Sequence, residues 1–329
     1  MKISKEELKP YRRLTDAQQN IRPSSDFTDQ VMDYYMTGQR LTGIKLPFKY
    51  FDNKFRLRPE EMTVLAGING AGKSLLASQI MLSAMEQGSK CLSISLEMSP
   101  KAQLARMWRQ ASLQVEPTLD AGLDFARWSK DKMFFYDQHG SIDYNTLISV
   151  IRYSVDNLGI DVVLVDSLMT MSMASDDWNG QKAVVCALAN CARNLGIHVI
   201  LVAHARKGQN ITDRLDKWSV AGSADITNRT DNVILFGRTY EEDSTKPDAY
   251  FSLCKARNFD GAEGDLDLNL CMASLNYYTN DDLPHPIGVE EQPPKGGIMG
   301  ELHKVALYEP PKRKSKRQTT ATVVQAVAS

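Results

Sequence analysis

Short apolar runs alternate with longer amphipathic stretches through the middle of the chain, and this rhythm points to a fold class. From about residue 60, MTVLAG, KCLSISLE, MFFYD, DVVLVDS and HVILVAH are apolar over four to six positions. Runs of that length and composition suit strands buried on both faces. Between them, residues 74–87, 100–114, 143–158 and 180–195 read as helices. Strand–helix alternation predicts an α/β fold with a mostly parallel sheet and helices on both faces. After residue 230 the pattern changes. NVILFGR, AYFSLCKA, DLDLNL and SLNYY follow one another across short turns, which predicts an antiparallel edge on the same sheet.

The two ends differ from this core. The first ~25 residues are charged and close at Pro23, after which Ser24, Ser25 and Asp26 offer caps for a short helix. Phe27, Val31, Tyr34 and Tyr35 lie at i, i+4, i+7 and i+8 on one face of it, and Gly38 and Gly43 follow as stops. That apolar face must dock, either on its own core or on another subunit. Beyond Asn280 the chain is rich in Pro and Gly, then basic at Lys312, Arg313, Lys314, Lys316 and Arg317, and it reads as a mobile tail. The expected division is an arm with a docking helix over 1–58, a core domain over 59–280 and a tail over 281–329.

Composition narrows the function classes. With 329 residues, 43% hydrophobic and 24% charged, the chain has enough apolar material for a sizeable core. Thirty-nine basic against forty acidic residues leave a net charge of −1, which excludes nucleic-acid binding through bulk positive charge and leaves a local patch open. No apolar run approaches the roughly 18–20 residues of a membrane helix, and MKISKEELKPYRR lacks the apolar segment of a signal peptide. Five cysteines without a CxxC pair read as reduced thiols in a cytoplasmic protein, with no zinc site.

The most specific chemistry lies at Gly67-Ile68-Asn69-Gly70-Ala71-Gly72-Lys73-Ser74, followed by Leu75: a GxxxxGK[ST] motif between the run MTVLAG and a helix. Glycines there turn successive backbone N–H groups toward phosphate oxygens, and the helix N-terminus adds positive potential. Lys73 reaches the β- and γ-phosphates, and the Ser74 hydroxyl suits Mg²⁺. ATP and Mg²⁺ are therefore the expected cofactors. Asp166 ends an apolar strand, the shape of a Walker B carboxylate that holds Mg²⁺ partly through water. Glu97, just after SISL, is a candidate for orienting an attacking water or simply a helix-start glutamate.

Together these segments resemble the RecA-like motor domain of DnaB-type replicative DNA helicases, closest to the phage primase-helicase and Twinkle branch, over roughly residues 26–280. SISLEMS is similar to the family strand whose glutamate activates water, which implies that role for Glu97. ILVAH places His204 at the family's sensor position for the γ-phosphate. Lys255-Ala-Arg257 resembles the K-x-R pair that reaches a neighbour's nucleotide, which implies that Arg257 is an arginine finger assisted by Lys255. The turn after it, Asn258 to Gly264, is a residue or two longer than the family pattern. The ~60 residues ahead of the motor have room for a linker helix but not for a primase segment, and in the family such a helix packs on the adjacent subunit.

The resemblance implies a ring-forming homo-oligomer, a hexamer, that translocates on single-stranded DNA with 5′–3′ polarity, in a phage- or plasmid-type replication system with a separate primase or loader. Two stretches then line the channel. The one after His204 carries Arg206, Lys207, Gly208, Asn210, Arg214 and Lys217, which suit contacts to a phosphate backbone. The one after Asp166 is acidic and the poorer candidate; Trp178 and Trp218 are base-stacking groups or packing anchors. A RecA- or KaiC-like assembly ATPase without unwinding activity is the alternative on the same fold, and a monomeric P-loop kinase is a third reading.

Overall fold

The computed structural model describes residues 23–36, 42–138, 140–167, 178–205, 214–215, 224–239, 246–258 and 261–289. Its centre is a nine-stranded sheet. The strands are β1 (Met62–Gly67), β2 (Cys91–Ser95), β3 (Met133–Phe135), β4 (Val162–Asp166), β5 (His198–His204), β6 (Asn232–Arg238), β7 (Ala249–Ala256), β8 (Gly264–Cys271) and β9 (Asn276–Tyr278). They are ordered β3-β2-β4-β5-β1-β6-β7-β8-β9. The first six strands pair in parallel, and β7, β8 and β9 form the antiparallel edge.

The helices are α1 (Thr28–Met36), α2 (Lys73–Glu86), α3 (Pro100–Ser112), α4 (Leu119–Ser129), α5 (Tyr144–Leu158), α6 (Trp178–Leu195) and α7 (Ala224–Arg229). They cover both faces because every central strand sends alternate residues to opposite sides. Leu65, Leu164, Ile200 and Phe236 join one core with α2, α3 and α4. Val64, Val163, Leu201 and Leu235 join the other with α5 and α6. Each large apolar side chain buried this way contributes on the order of 1.5–3 kcal/mol. Periodicity missed α4, whose interior glycine, Gly122, weakens the helical signal. A Cβ there would meet the Trp108 ring at 2.6 Å, so the glycine lets α4 close on α3.

The core also draws on segments beyond the strand–helix pattern. Leu46, Phe48, Phe51, Phe55 and Leu57 are buried, and Phe48 and Phe51 meet Phe251 with ring centroids 5.7 and 5.1 Å apart. Ile287 packs on the same core, and its amide donates to Ala111 O at 2.9 Å. The cysteines are free thiols, three of them buried. Helix α1 forms as expected after a 3₁₀ turn at Ser24–Phe27; Phe27, Val31 and Tyr35 are exposed, while the Tyr34 side chain lies outside the described residues.

Candidate active site

Register brings the chemistry to one edge of the sheet. Gly67 pairs with His204 across β1–β5, and Ser95 pairs with Asp166 across β2–β4. The C-terminal ends of four parallel strands therefore meet beside the start of α2, where open α/β sheets hold ligands. Gly67 lies so close to β6 that a Cβ would fall 2.1 Å from Phe236 O. Gly72, at φ +95°, caps α2 in the left-handed region, and a Cβ there would strike the Tyr277 hydroxyl at 2.1 Å. Asn69 and Gly70 form the exposed tip of the loop, Ala71 is buried, and Leu75 continues the first turn of α2.

Lys73 is buried under this loop. Its Nζ donates to Gly67 O and Ile68 O, both at 2.9 Å, and lies 3.5 Å from His204 Nδ1. Burial lowers its pKa to about 8, against the opposing pull of Asp166 and Glu97. Ser74 Oγ donates to Asp166 Oδ2 at 2.8 Å. Burial also raises the pKa of Asp166, while the Ser74 hydrogen bond lowers it. Ser167, which the motif reading passed over, ties the remaining two residues in. Its hydroxyl donates to Glu97 Oε1 at 2.7 Å and lies 3.3 Å from His204 Nε2. Burial, with Lys73 beside it, lowers the pKa of His204.

These groups fit a Mg²⁺–nucleoside triphosphate. The first amides of a helix lack intrahelical partners and suit an anion, and at the start of α2 those are the amides of Lys73 and Ser74. The Ser74 hydroxyl and Asp166 carboxylate offer adjacent hard oxygens, and Mg²⁺ binds through one or two such groups while phosphates and waters fill its other positions.

The other candidates lie elsewhere. Across β6–β7, Asn232 pairs with Ala256, so Lys255 and Arg257 fall at the amino-terminal edge of the sheet, level with Met62. Five strand residues, about 16 Å, separate that edge from the phosphate loop. Lys255 Nζ donates to Thr227 O and Thr230 O, both at 2.7 Å, at the end of α7, and burial lowers its pKa. Arg257 Nη2 donates to Asn228 O at 2.7 Å, and Nη1 lies 3.2 Å from Asp231 Oδ1. Asp231 is buried and also holds Met62 N and Arg193. Nothing local in the sequence marks it, because its partners are far away in the chain.

Arg214 lies against acidic neighbours, 3.5 Å from Asp265 Oδ2 and 2.5 Å from Asp267 Oδ1. Arg206, Lys207, Gly208, Asn210, Lys217, Trp218 and the loop after Ser167 lie outside the described residues, as does the Trp178 side chain. Among the described residues no helix is long and apolar enough to cross a membrane.

A family model described as an AAA domain matches residues 54–210. A probable plasmid replicative DNA helicase of Chlamydia psittaci is 27% identical over 203 residues, which cover 56% of this chain and 44% of that relative. The chain thus spans less than half the length of that curated relative. Among solved structures, an ATPase domain superposes with a TM-score of 0.68 at 18% identity, over 78% of this chain and 99% of that domain. A DnaB-like replicative helicase, solved in a study of its interactions with primase, gives a TM-score of 0.65 at 16% identity, over 83% and 71% of the two chains. The sheet order and these superpositions give the core of this chain the fold of the ATPase domains of DnaB-like helicases.

Proposed function

We propose that the chain is an ATP-hydrolysing DNA helicase that assembles as a ring, hexameric in the family it resembles, and moves along single-stranded DNA in the 5′–3′ direction. One observation carries this reading. Five groups suited to a Mg²⁺–triphosphate converge on one edge of the sheet, while the Lys255–Arg257 pair sits on the opposite edge, out of reach of its own loop. A role for that pair at a nucleotide therefore needs a second copy of the chain.

Lys73 and the amino-terminal amides of α2 hold the phosphates, and Ser74 and Asp166 hold the metal. Mg²⁺, when bound, neutralises charge on the phosphate oxygens. Glu97 orients and deprotonates the attacking water, and His204 stands where it can hydrogen-bond the terminal phosphate. Arg257 of the neighbouring copy, with Lys255, stabilises charge that develops as the phosphate bond breaks. Residues Arg206, Lys207, Gly208, Asn210 and Lys217, just beyond His204, hold the DNA backbone without regard to sequence. Arg214 joins them only by leaving Asp265 and Asp267. The exposed apolar residues of α1 provide a surface for packing on the next subunit. A separate primase or loader completes the set of partners, and the replicating cytoplasm is the proposed place of action.

A forked duplex tests the proposal. ATP-dependent strand release, together with ring-shaped particles of defined mass on a single-stranded oligonucleotide, is the expected result. Helical filaments, or ATP turnover with no strand release, favour the RecA- or KaiC-like alternative.

A further inference from the structure

Ser167 lies between the group proposed to sense the terminal phosphate and the group proposed to activate the attacking water. It is fully buried at the end of β4, with its hydroxyl 2.7 Å from Glu97 Oε1 and 3.3 Å from His204 Nε2. Glu97 and His204 approach each other directly only to 3.7 Å. A serine hydroxyl has one proton to give, and neutral imidazole has one N–H and one bare nitrogen. Those counts constrain the direction of every bond in the cluster.

Two independent contacts lead to the same arrangement. Ser167 donates to the Glu97 carboxylate, so toward His204 it acts as acceptor, which requires a proton on Nε2. At the other side of the ring, Nδ1 faces the Lys73 ammonium at 3.5 Å. An ammonium only donates, so Nδ1 must be bare. The low pKa of His204, caused first by burial and then by Lys73, agrees with a neutral ring.

The geometry points to Ser167 as a positioning residue that holds the protonated Nε2 of His204 and the direction of Glu97, completing a directed path of hydrogen bonds from Lys73 through His204 and Ser167 to Glu97. This rests on the water-orienting role proposed for Glu97. The path gives the phosphate lysine a physical link to the base: when Lys73 turns from His204 toward a phosphate, the donor that holds Nδ1 is lost and the bond to Ser167 is free to change. The same hydroxyl contact aims the carboxylate without adding charge to the site.

Solid-state NMR of the full chain labelled with ¹⁵N-histidine tests this directly. The His204 signals are assigned by their disappearance in His204→Gln. Without nucleotide, a bare Nδ1 and a protonated Nε2 are expected. In Ser167→Ala the Nε2–H signal should move because its acceptor is lost, and kcat for ATP should fall about tenfold while KM stays within about twofold. A protonated Nδ1 in the unaltered chain overturns the proposal, whatever the variant does, and so do unchanged ring signals in Ser167→Ala. Glu97→Gln separates the two readings. Full turnover in that variant, alongside the expected ring signals, removes the role of Glu97 in activating water and leaves the tautomer assignment standing.

Discussion

Arg257 is held by Asp231, Nη1 to Oδ1 at 3.2 Å, on the edge of the sheet opposite the phosphate loop of its own chain. Arg193 shares the same carboxylate at 3.3 Å, so one buried negative charge serves two guanidinium groups. An exposed, cationic, pre-oriented side chain at that edge is a sound donor to a phosphate on another copy and a poor one to its own.

Asp231→Asn tests whether this pairing matters to turnover. The amide keeps a hydrogen-bond acceptor for Met62 N but loses the charge that orients Arg257. Hydrolysis should fall roughly tenfold with nucleotide affinity little changed. The stability cost should be about 1 kcal/mol, read from the denaturant midpoint, because both arginines are partly exposed. Unchanged hydrolysis would make Asp231 purely an anchor of the fold.

Glu97→Gln should retain nucleotide binding, read by calorimetry, and lose hydrolysis by on the order of a hundredfold or more. The amide keeps the size of the side chain and an acceptor for Ser167 while removing the base. Turnover near that of the unaltered chain would remove Glu97 from the chemistry.

Acid should weaken the fold through His198. The ring is buried between Arg58 O and Thr63 Oγ1, and burial holds its pKa below the usual 6.5. The unfolded chain therefore binds the proton more readily than the folded one. The stabilising contribution is complete above pH 6.5 and is lost as pH falls below it toward the folded value. Denaturant midpoints at successive pH values should decline through that window, and His198→Asn should decline less. Equal slopes would exclude His198 as the source.

Helix α1 offers a test of assembly. Val31 and Tyr35 are 50% and 64% exposed, one turn apart on the same face. Val31→Asp with Tyr35→Asp should shift the particle toward single chains by light scattering while leaving the thermal midpoint of the motor almost unchanged, since neither side chain is buried in the core. An unaltered mass would show that this face does not join subunits.

Much of the fold was legible because buried parallel strands are uninterrupted apolar runs; β1, β4 and β5 match MTVLAG, VVLVD and HVILVAH. The phosphate loop was legible because its chemistry is local, with Gly67, Gly72, Lys73 and Ser74 within eight residues. Strand order was not, since adjacency of β1 and β6 joins residues about 170 positions apart. Asp231 and Ser167 escaped for the same reason: their partners Arg257, Glu97 and His204 come from other strands. Arg214 looked like a channel residue from its basic surroundings in sequence, but β8 places Asp265 and Asp267 against it.

The most direct measurement mixes two inactive chains. Lys73→Ala removes the phosphate lysine and keeps Arg257; Arg257→Ala does the reverse. Each alone should hydrolyse almost no ATP. Combined, they should recover turnover at junctions that join an intact Lys73 to an intact Arg257, with a maximum near equal proportions. If co-assembly is confirmed by mass and no ratio restores hydrolysis, or if the Arg257→Ala chain turns over ATP at full rate by itself, a nucleotide site shared between copies is contradicted.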